Sequence, residues 1–185
     1  MLRDNSTIES ERCGTRPPRK SEVTRKRILD ASADLFGEQG YTATTLRQIA
    51  KRAKLDAGSI YYYFASKDEI LEEVMDIGIR AVFDAVRTSV EALSDSTSNR
   101  EKIEAAIEAH LNTLLKLNAY TSANIAIFAQ ISRAAQNSNK RLRQEYAAYW
   151  HDLIQAAQSS GEISPAADLS LVRLFLLGSI NWSMQ

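Results

Sequence analysis

The chain has 185 residues, 44% of them hydrophobic and 25% charged, with 23 Lys+Arg balanced by 23 Asp+Glu. That is the composition of an ordinary globular domain, and zero net charge removes any global electrostatic case for a polyanionic partner. The charge is unevenly spread, however: residues 1–64 carry 12 basic against 8 acidic side chains and residues 65–185 carry 11 against 15, so only the front suits a polyanion. The single cysteine, Cys13, excludes a disulfide framework and a Cys-based metal site. No apolar signal region opens the chain and no run of 18 apolar residues could span a bilayer. The expectation is a cytoplasmic protein with no membrane contact.

Proline occurs only at 17, 18 and 165, and no alternating segment flanked by turn residues stands out, so the fold class is all-α. Residues 1–21 are polar, charged and proline-containing, and read as a flexible basic arm. A first helix is predicted from about Glu22 to Gln39, with Ile28, Ala31, Leu35 and Phe36 on one face and Gly40 ending it. A short second helix follows Thr45, a natural cap, and uses Leu46, Ile49, Ala50 and Ala53. After a tight turn at Lys54-Leu55-Asp56, a third helix is predicted over Ala57–Phe64, capped by Asp56. Ser66-Lys67-Asp68-Glu69 has the pattern of a capping box and opens a long helix to about residue 93. Further helices are predicted over 100–118, 121–134, 138–159 and 165–185. Gly161 ends the third of these, and Pro165 sits in the first turn of the last. That last helix, Leu169–Trp182, is apolar nearly all round and is expected to be buried on most sides. The chain stops at Gln185 without a terminating signal, which reads as a truncation.

Helices at 45–53 and 57–64 joined by a tight turn have helix-turn-helix spacing, with Ala50, Ala53 and Gly58 allowing close approach. The second helix of such a pair enters the major groove of DNA and presents polar groups there. Ala57, Gly58, Ser59, Tyr61 and Tyr62 are the candidates, with Tyr63 and Phe64 at least partly turned inward. Thr44, Thr45, Arg47 and Gln48, around the start of the preceding helix, are candidates for phosphate or base-edge contacts, and Lys67 for a phosphate across the groove. Arg16, Arg19, Lys20, Arg25, Lys26 and Arg27 add basic charge ahead of the unit.

Thr45-Leu46-Arg47-Gln48-Ile49-Ala50, followed by Ala53, Gly58, Tyr61, Tyr63-Phe64, Ser66-Lys67 and Leu71, resembles the signature of the TetR (tetracycline repressor) family. Ala31, Leu35-Phe36, Gly40-Tyr41 and Thr44-Thr45 fit the same pattern, and the match covers residues 22–82. Tyr63 departs from it, since many members have His there. The resemblance implies a homodimeric transcriptional regulator, more often a repressor than an activator, bound to a near-palindromic double-stranded operator. It implies that residues 22–82 form the helix-turn-helix domain and 83–185 a helical-bundle domain that binds a small hydrophobic effector and dimerises. In the family the last two helices pair with those of the partner; the 165–185 helix matches the first of these and the second is absent. Leu177-Gly178-Ser179-Ile180-Asn181-Trp182 is similar to members controlling lipid or steroid catabolism through acyl-CoA effectors.

Candidate effector contacts are Phe83, His110, Leu111, Leu114, Phe128, Ile131, Tyr149 and Trp182, a mostly apolar set with few polar anchors, as bundle pockets have. Each of these is more readily a core residue than a ligand contact. His110 and His151 have no Cys or His at ligand spacing, so no metal is expected, and no cofactor is implied. Carboxylate pairs such as Glu72-Glu73 read as solvated helix faces. No nucleophile–base constellation or phosphate loop is present, which argues against catalysis. The rivals are a helical interaction module that keeps the fold without using DNA, and an all-α enzyme acting on an acyl thioester.

Overall fold

The computed structural model describes residues 19–116, 119–121, 123 and 140–182, which form helices and turns without a strand. Helix α1 spans Lys20–Ala43 and is kinked at Gly40, whose φ of 81° lies in the left-handed region. The stop expected at Gly40 is therefore a kink followed by one more turn. Ile28, Ala31, Leu35 and Phe36 are all buried.

Helix α2, Leu46–Arg52, is closed by a reciprocal box: Thr45 Oγ1 accepts from Gln48 N–H, and Gln48 Oε1 accepts from Thr45 N–H at 2.7 Å. The turn after it places Lys54 at φ 56°. The segment that follows, Ala57–Tyr62, is a 3-10 helix and not the α-helix expected over 57–64, and Asp56 makes no side-chain cap. The reason lies in its anchors. Ile60 and Phe64 are both fixed in the core, and i→i+3 bonding, with Tyr63 N–H donating to Ile60 O at 2.9 Å, lets so short a segment reach both.

Helix α3 spans Lys67–Glu91. Ser66 Oγ accepts from Glu69 N–H at 3.1 Å, while the Glu69 carboxylate accepts from Ala65 N–H at 2.6 Å. The box closes one residue further out than the sequence pattern implies. Helices α4 (Asn99–Lys116), α5 (Lys140–Ser159) and α6 (Leu169–Trp182) follow. Most of the helix predicted over 121–134 lies outside the described residues, as do Arg16, Phe128 and Ile131. Gly161, at φ 81°, closes α5 with paired bonds, Glu162 N–H to Ala157 O and Gly161 N–H to Gln158 O. Pro165 falls in a turn, not in the first turn of α6. The cap is Asp168, whose Oδ1 accepts from Ser170 and Leu171 N–H at 2.9 and 3.2 Å.

Two apolar clusters organise the fold. The first joins α1, α2, the 3-10 segment and the front of α3 (Ile70, Leu71, Val74, Met75), with Ala119, Tyr120 and Ala123 packed in. The second joins the rear of α3 (Val82, Val86) to α4, α5 and α6 around the buried Trp150. Helix α3 belongs to both, and its 25 residues make a rod of roughly 37 Å. The expectation for α6 needs correction. Only Ile180 is buried in it, and Leu171, Leu174, Phe175 and Trp182 stand exposed, the last two at 74% and 73%.

Candidate nucleic-acid interface and effector cavity

The 3-10 segment splits its side chains cleanly. Ile60 and Phe64 are inside, whereas Tyr61 and Tyr62 are 64% and 88% exposed. Tyr63 is half-buried, its ring 5.8 Å from that of Tyr62 in an edge-on contact. Two large aromatics pointing into solvent from a pinned backbone are not explained by packing. Ala57 and Gly58 are exposed and Ser59 is half-buried. A Cβ at Gly58 would meet nothing within 4 Å, so internal packing does not require glycine there, contrary to the expectation that it lets the helices approach. Buried Ala50 and Ala53 do fill that role.

A shallow groove is lined by Thr45, Arg47, Gln48, Lys51, Asp56 and Ala57. It brings four expected contact residues together and adds Lys51, which sequence reasoning missed although it lies one turn from Arg47. Arg47 is exposed and makes no ion pair or hydrogen bond among the described residues.

Other expected contacts turn inward. Thr44 is 1% exposed, and its hydroxyl bonds Gly40 O at 2.8 Å and receives Gln39 Nε2 at 3.1 Å. It fastens the kinked end of α1 and is not available to a phosphate. Lys67 Nζ donates to Tyr41 O at 2.8 Å and Thr44 O at 2.7 Å and lies 4.1 Å from the Tyr41 ring centroid. Burial holds its pKa below the usual lysine value. Tyr41 OH in turn donates to Asp68. The ammonium is thus a clamp between α3 and the end of α1, not a free phosphate ligand. Hydrogen bonds from a charged donor contribute about 1.5–3 kcal/mol. Lys67→Met is therefore expected to lower stability by about 2 kcal/mol, read as a shift in urea midpoint without a change in slope.

Part of the basic stretch ahead of the unit is engaged by other groups of the protein as well. Arg25 pairs with Glu73 and sits 4.6 Å over the Phe64 ring, and Arg27 donates to Ala53 O. Lys26 pairs with Asp30 at 2.7 Å on the exposed side. Arg19 and Lys20 remain exposed at the start of α1.

In the second cluster a cavity of about 370 Å3 opens between α3, α4, α5 and α6. His110 and Leu114 line it, as expected. The other four described candidates do not. Phe83 and Tyr149 meet in a tilted contact with centroids 5.5 Å apart, Leu111 packs in the cluster, and Trp182 faces outward. The cavity wall instead includes Gly78, Thr121, Arg143, Tyr146 and Asn181. Gly78 is the one of these with a sequence signal, since a mid-helix glycine lowers helix stability and so marks a place where space is needed.

His110 is 3% exposed, with Nδ1 2.7 Å from Tyr146 OH. Burial pushes its pKa down to about 4, against a smaller opposing contribution from Asn181. The ring is neutral when folded, while the unfolded chain binds a proton near pH 6.5. Stability is therefore full above that pH and is lost as pH falls through the window from about 6.5 to about 4. The loss attributable to this ring is about 3 kcal/mol, and His110→Asn is expected to flatten that part of the pH–stability curve in urea titrations.

Among the described residues no cluster of His, Cys, Asp or Glu could hold a metal ion, and no helix is long and apolar enough to cross a membrane. A tri-helical unit with a pinned, aromatic-bearing third element, joined by one helix to a cavity-containing bundle, defines a helix-turn-helix DNA-binding transcriptional regulator. Comparison with known proteins gives the family. The family model of bacterial regulatory proteins of the tetR family matches residues 28–74, and that of the tetracyclin repressor-like C-terminal domain matches residues 96–185. The chain belongs to the TetR family of transcriptional regulators.

The chain is 46% identical over 68 residues to the HTH-type transcriptional regulator HbdR of Aromatoleum sp. (strain CIB), covering 37% of this chain and 30% of that protein. It is 26% identical over 168 residues to the HTH-type transcriptional repressor KstR2 of Mycolicibacterium smegmatis, covering 86% of this chain and 77% of that protein. The structure of the transcriptional regulator FadR from Bacillus subtilis in complex with stearoyl-CoA superposes with a TM-score of 0.73 at 21% identity, over 86% of this chain and 84% of that one. These relatives are regulators, not enzymes.

Proposed function

We propose that this chain is a homodimeric repressor, acting in the cytoplasm, that leaves a near-palindromic operator when a small hydrophobic effector fills the cavity. The observation that carries the reading is the continuity of α3. Ile70, Leu71, Val74 and Met75 belong to the core beneath the 3-10 segment, and Gly78, Ile79 and Val82, on the same unbroken helix, line the cavity. A ligand that pushes on that wall acts on the rod that carries the DNA-binding unit. Its leverage equals its differential affinity for the two states, typically ~1–3 kcal/mol.

A second joint supports the same coupling. Thr121 lines the cavity, and its neighbour Tyr120 donates to Asp30 of α1 at 2.6 Å. The working division is a DNA-binding part over residues 22–82 and an effector and dimerisation part over 83–185. In the groove we assign Tyr61, Tyr62, Thr45, Arg47, Gln48, Ala57, Gly58 and Ser59 to contact, with Gly58 leaving room for the duplex. The exposed stripe Leu171, Leu174, Phe175, Gly178 and Trp182 of α6 has helical spacing suited to packing on its counterpart in a second copy.

FadR is bound to stearoyl-CoA in its structure, and KstR2 of Mycobacterium tuberculosis is described as a ketosteroid transcriptional regulator. On that basis the effector is an acyl-CoA or a lipid or steroid catabolite. Selection of bound duplexes from a random pool, followed by titration of the recovered operator complex with acyl-CoA thioesters, tests the reading. It predicts an inverted repeat and release at micromolar thioester. Sequence-independent binding, or a complex indifferent to every acyl and steroid thioester, would contradict it.

A further inference from the structure

The groove between α2 and the 3-10 segment has a lopsided supply of hydrogen-bonding groups. Arg47 and Lys51 on its wall can only donate. Gln48 is committed as well. Its Oε1 receives Thr45 N–H at 2.7 Å and the Thr45 hydroxyl at 2.8 Å. Both lone pairs are then in use, so the rest of its amide can only donate. The Thr45 hydroxyl gives its proton to that bond and accepts from Gln48 N–H at 3.3 Å. Among the lining side chains, the Asp56 carboxylate is the one wholly uncommitted acceptor.

Nothing inside the protein accounts for Asp56. It stands in the cap position of Ala57–Tyr62 yet makes no side-chain cap bond. It is exposed, and among the described residues it forms no ion pair, although Arg47 and Lys51 line the same groove. A segment of six residues offers little dipole for a carboxylate to complement. Against a duplex, meanwhile, a carboxylate is repelled by the phosphates and weakens binding to every sequence. A group that opposes binding in general acts as a discriminator, because only a partner that satisfies it escapes the loss. In the major groove the exocyclic amino groups of cytosine and adenine offer a proton to an acceptor. Guanine and thymine edges present acceptors of their own there.

We propose that Asp56 is a specificity-determining residue of the operator contact, accepting a hydrogen bond from the exocyclic amino group of one base in a half-site. The inference rests on the DNA-binding reading, and it adds the side chain that rejects wrong sequences and the base chemistry it demands. That amino group has two sources, cytosine N4 and adenine N6. Gln48, with its oxygen occupied, is barred from the paired donor–acceptor contact that an amide makes with adenine, so an amino group entering the groove falls to Asp56.

The test uses the full chain and the operator recovered from a random pool, rebuilt with N4-methylcytosine at each cytosine in turn and N6-methyladenine at each adenine. The methyl group replaces the amino proton that faces the major groove and leaves base pairing in place. At one position in the half-site this is expected to weaken wild-type binding by about 5-fold or more, and the base concerned identifies cytosine or adenine. Asp56→Ala is expected to bind that methylated operator and the plain one equally, and to bind random duplex several-fold more tightly than wild type, since a repelled charge is gone. Asp56→Asn keeps an acceptor without the charge, so it should retain part of the base preference and share the gain on random duplex. A residue that merely capped the segment would, when replaced, weaken binding to operator and random duplex alike, and that result overturns the inference. Wild-type binding indifferent to every methyl group overturns it while the DNA-binding reading stands, and this arm needs no variant. A wild type that prefers no duplex over another removes the DNA-binding reading and the inference with it.

Discussion

On the proposed pairing of two α6 faces, Phe175→Glu is expected to turn the protein from dimer to monomer and to abolish operator binding at concentrations where the wild type is fully bound. Phe175 is 74% exposed at the centre of the α6 stripe, flanked by Leu171, Leu174 and Trp182. A carboxylate placed there lies in water in the monomer but becomes buried without a partner when two such faces meet. An uncompensated buried charge costs about 3–5 kcal/mol, and two-fold symmetry introduces it twice. The dimer dissociation constant should therefore rise by more than about 100-fold. Exposure in the single chain also means that folding of the monomer is spared, so the far-ultraviolet circular dichroism should be kept, while the urea midpoint should fall only by the concentration-dependent stabilisation that dimerisation lends the wild type. Sedimentation velocity over a concentration series reads the change. An unaltered dimer would assign the stripe to some other contact.

The second large effect is expected at the recognition segment. Tyr61→Ala with Tyr62→Ala should weaken operator binding by about 10–100-fold or more, since each groove contact is worth ~1–3 kcal/mol. Ile60 and Phe64 hold the backbone from beneath, so removing two outward rings should leave stability nearly unchanged. The salt dependence separates the roles of neighbouring residues. A neutral tyrosine hydroxyl releases no counterion, so the slope of log K against log salt should be kept in the tyrosine double variant. Arg47→Ala should flatten it by about one if the guanidinium neutralises a phosphate. Operator titrations by anisotropy at several salt concentrations give both numbers. Wild-type affinity in the double variant would remove the 3-10 segment from the interface.

Local chemistry was legible in the chain wherever a residue acts within a turn or two of itself. Thr45 with Gln48, Ser66 with Glu69, and Gly161 each mark a real helix boundary, whereas Gly40 marks a kink one turn before the end of α1. The inward–outward split across Tyr61–Phe64 also follows from the helix-turn-helix spacing. What could not be read depends on distant backbone. Lys67 looks like a phosphate ligand until the kink at Gly40 turns the carbonyls of Tyr41 and Thr44 toward its ammonium. Thr44 looks exposed for the same reason.

Six residues pinned at Ile60 and Phe64 tighten into a 3-10 helix, which no propensity scale distinguishes from a short α-helix. In the bundle, aromatics are ambiguous by nature. Phe83 and Tyr149 satisfy each other, whereas Arg143 reads as a solvated polar position although it borders the cavity. Pro165 suggested a helix start, but Asp168 offers a carboxylate to two amides and takes the cap.

Chemical footprinting of guanine N7 on the selected operator, which reports the major groove alone, is the most direct check. Two protected windows on one face of the duplex are expected, centred roughly 10–10.5 base pairs or a small multiple apart, and both should disappear in the Tyr61/Tyr62 alanine variant. A single window, or protection unaffected by loss of the two rings, would contradict entry of residues 57–62 into the groove.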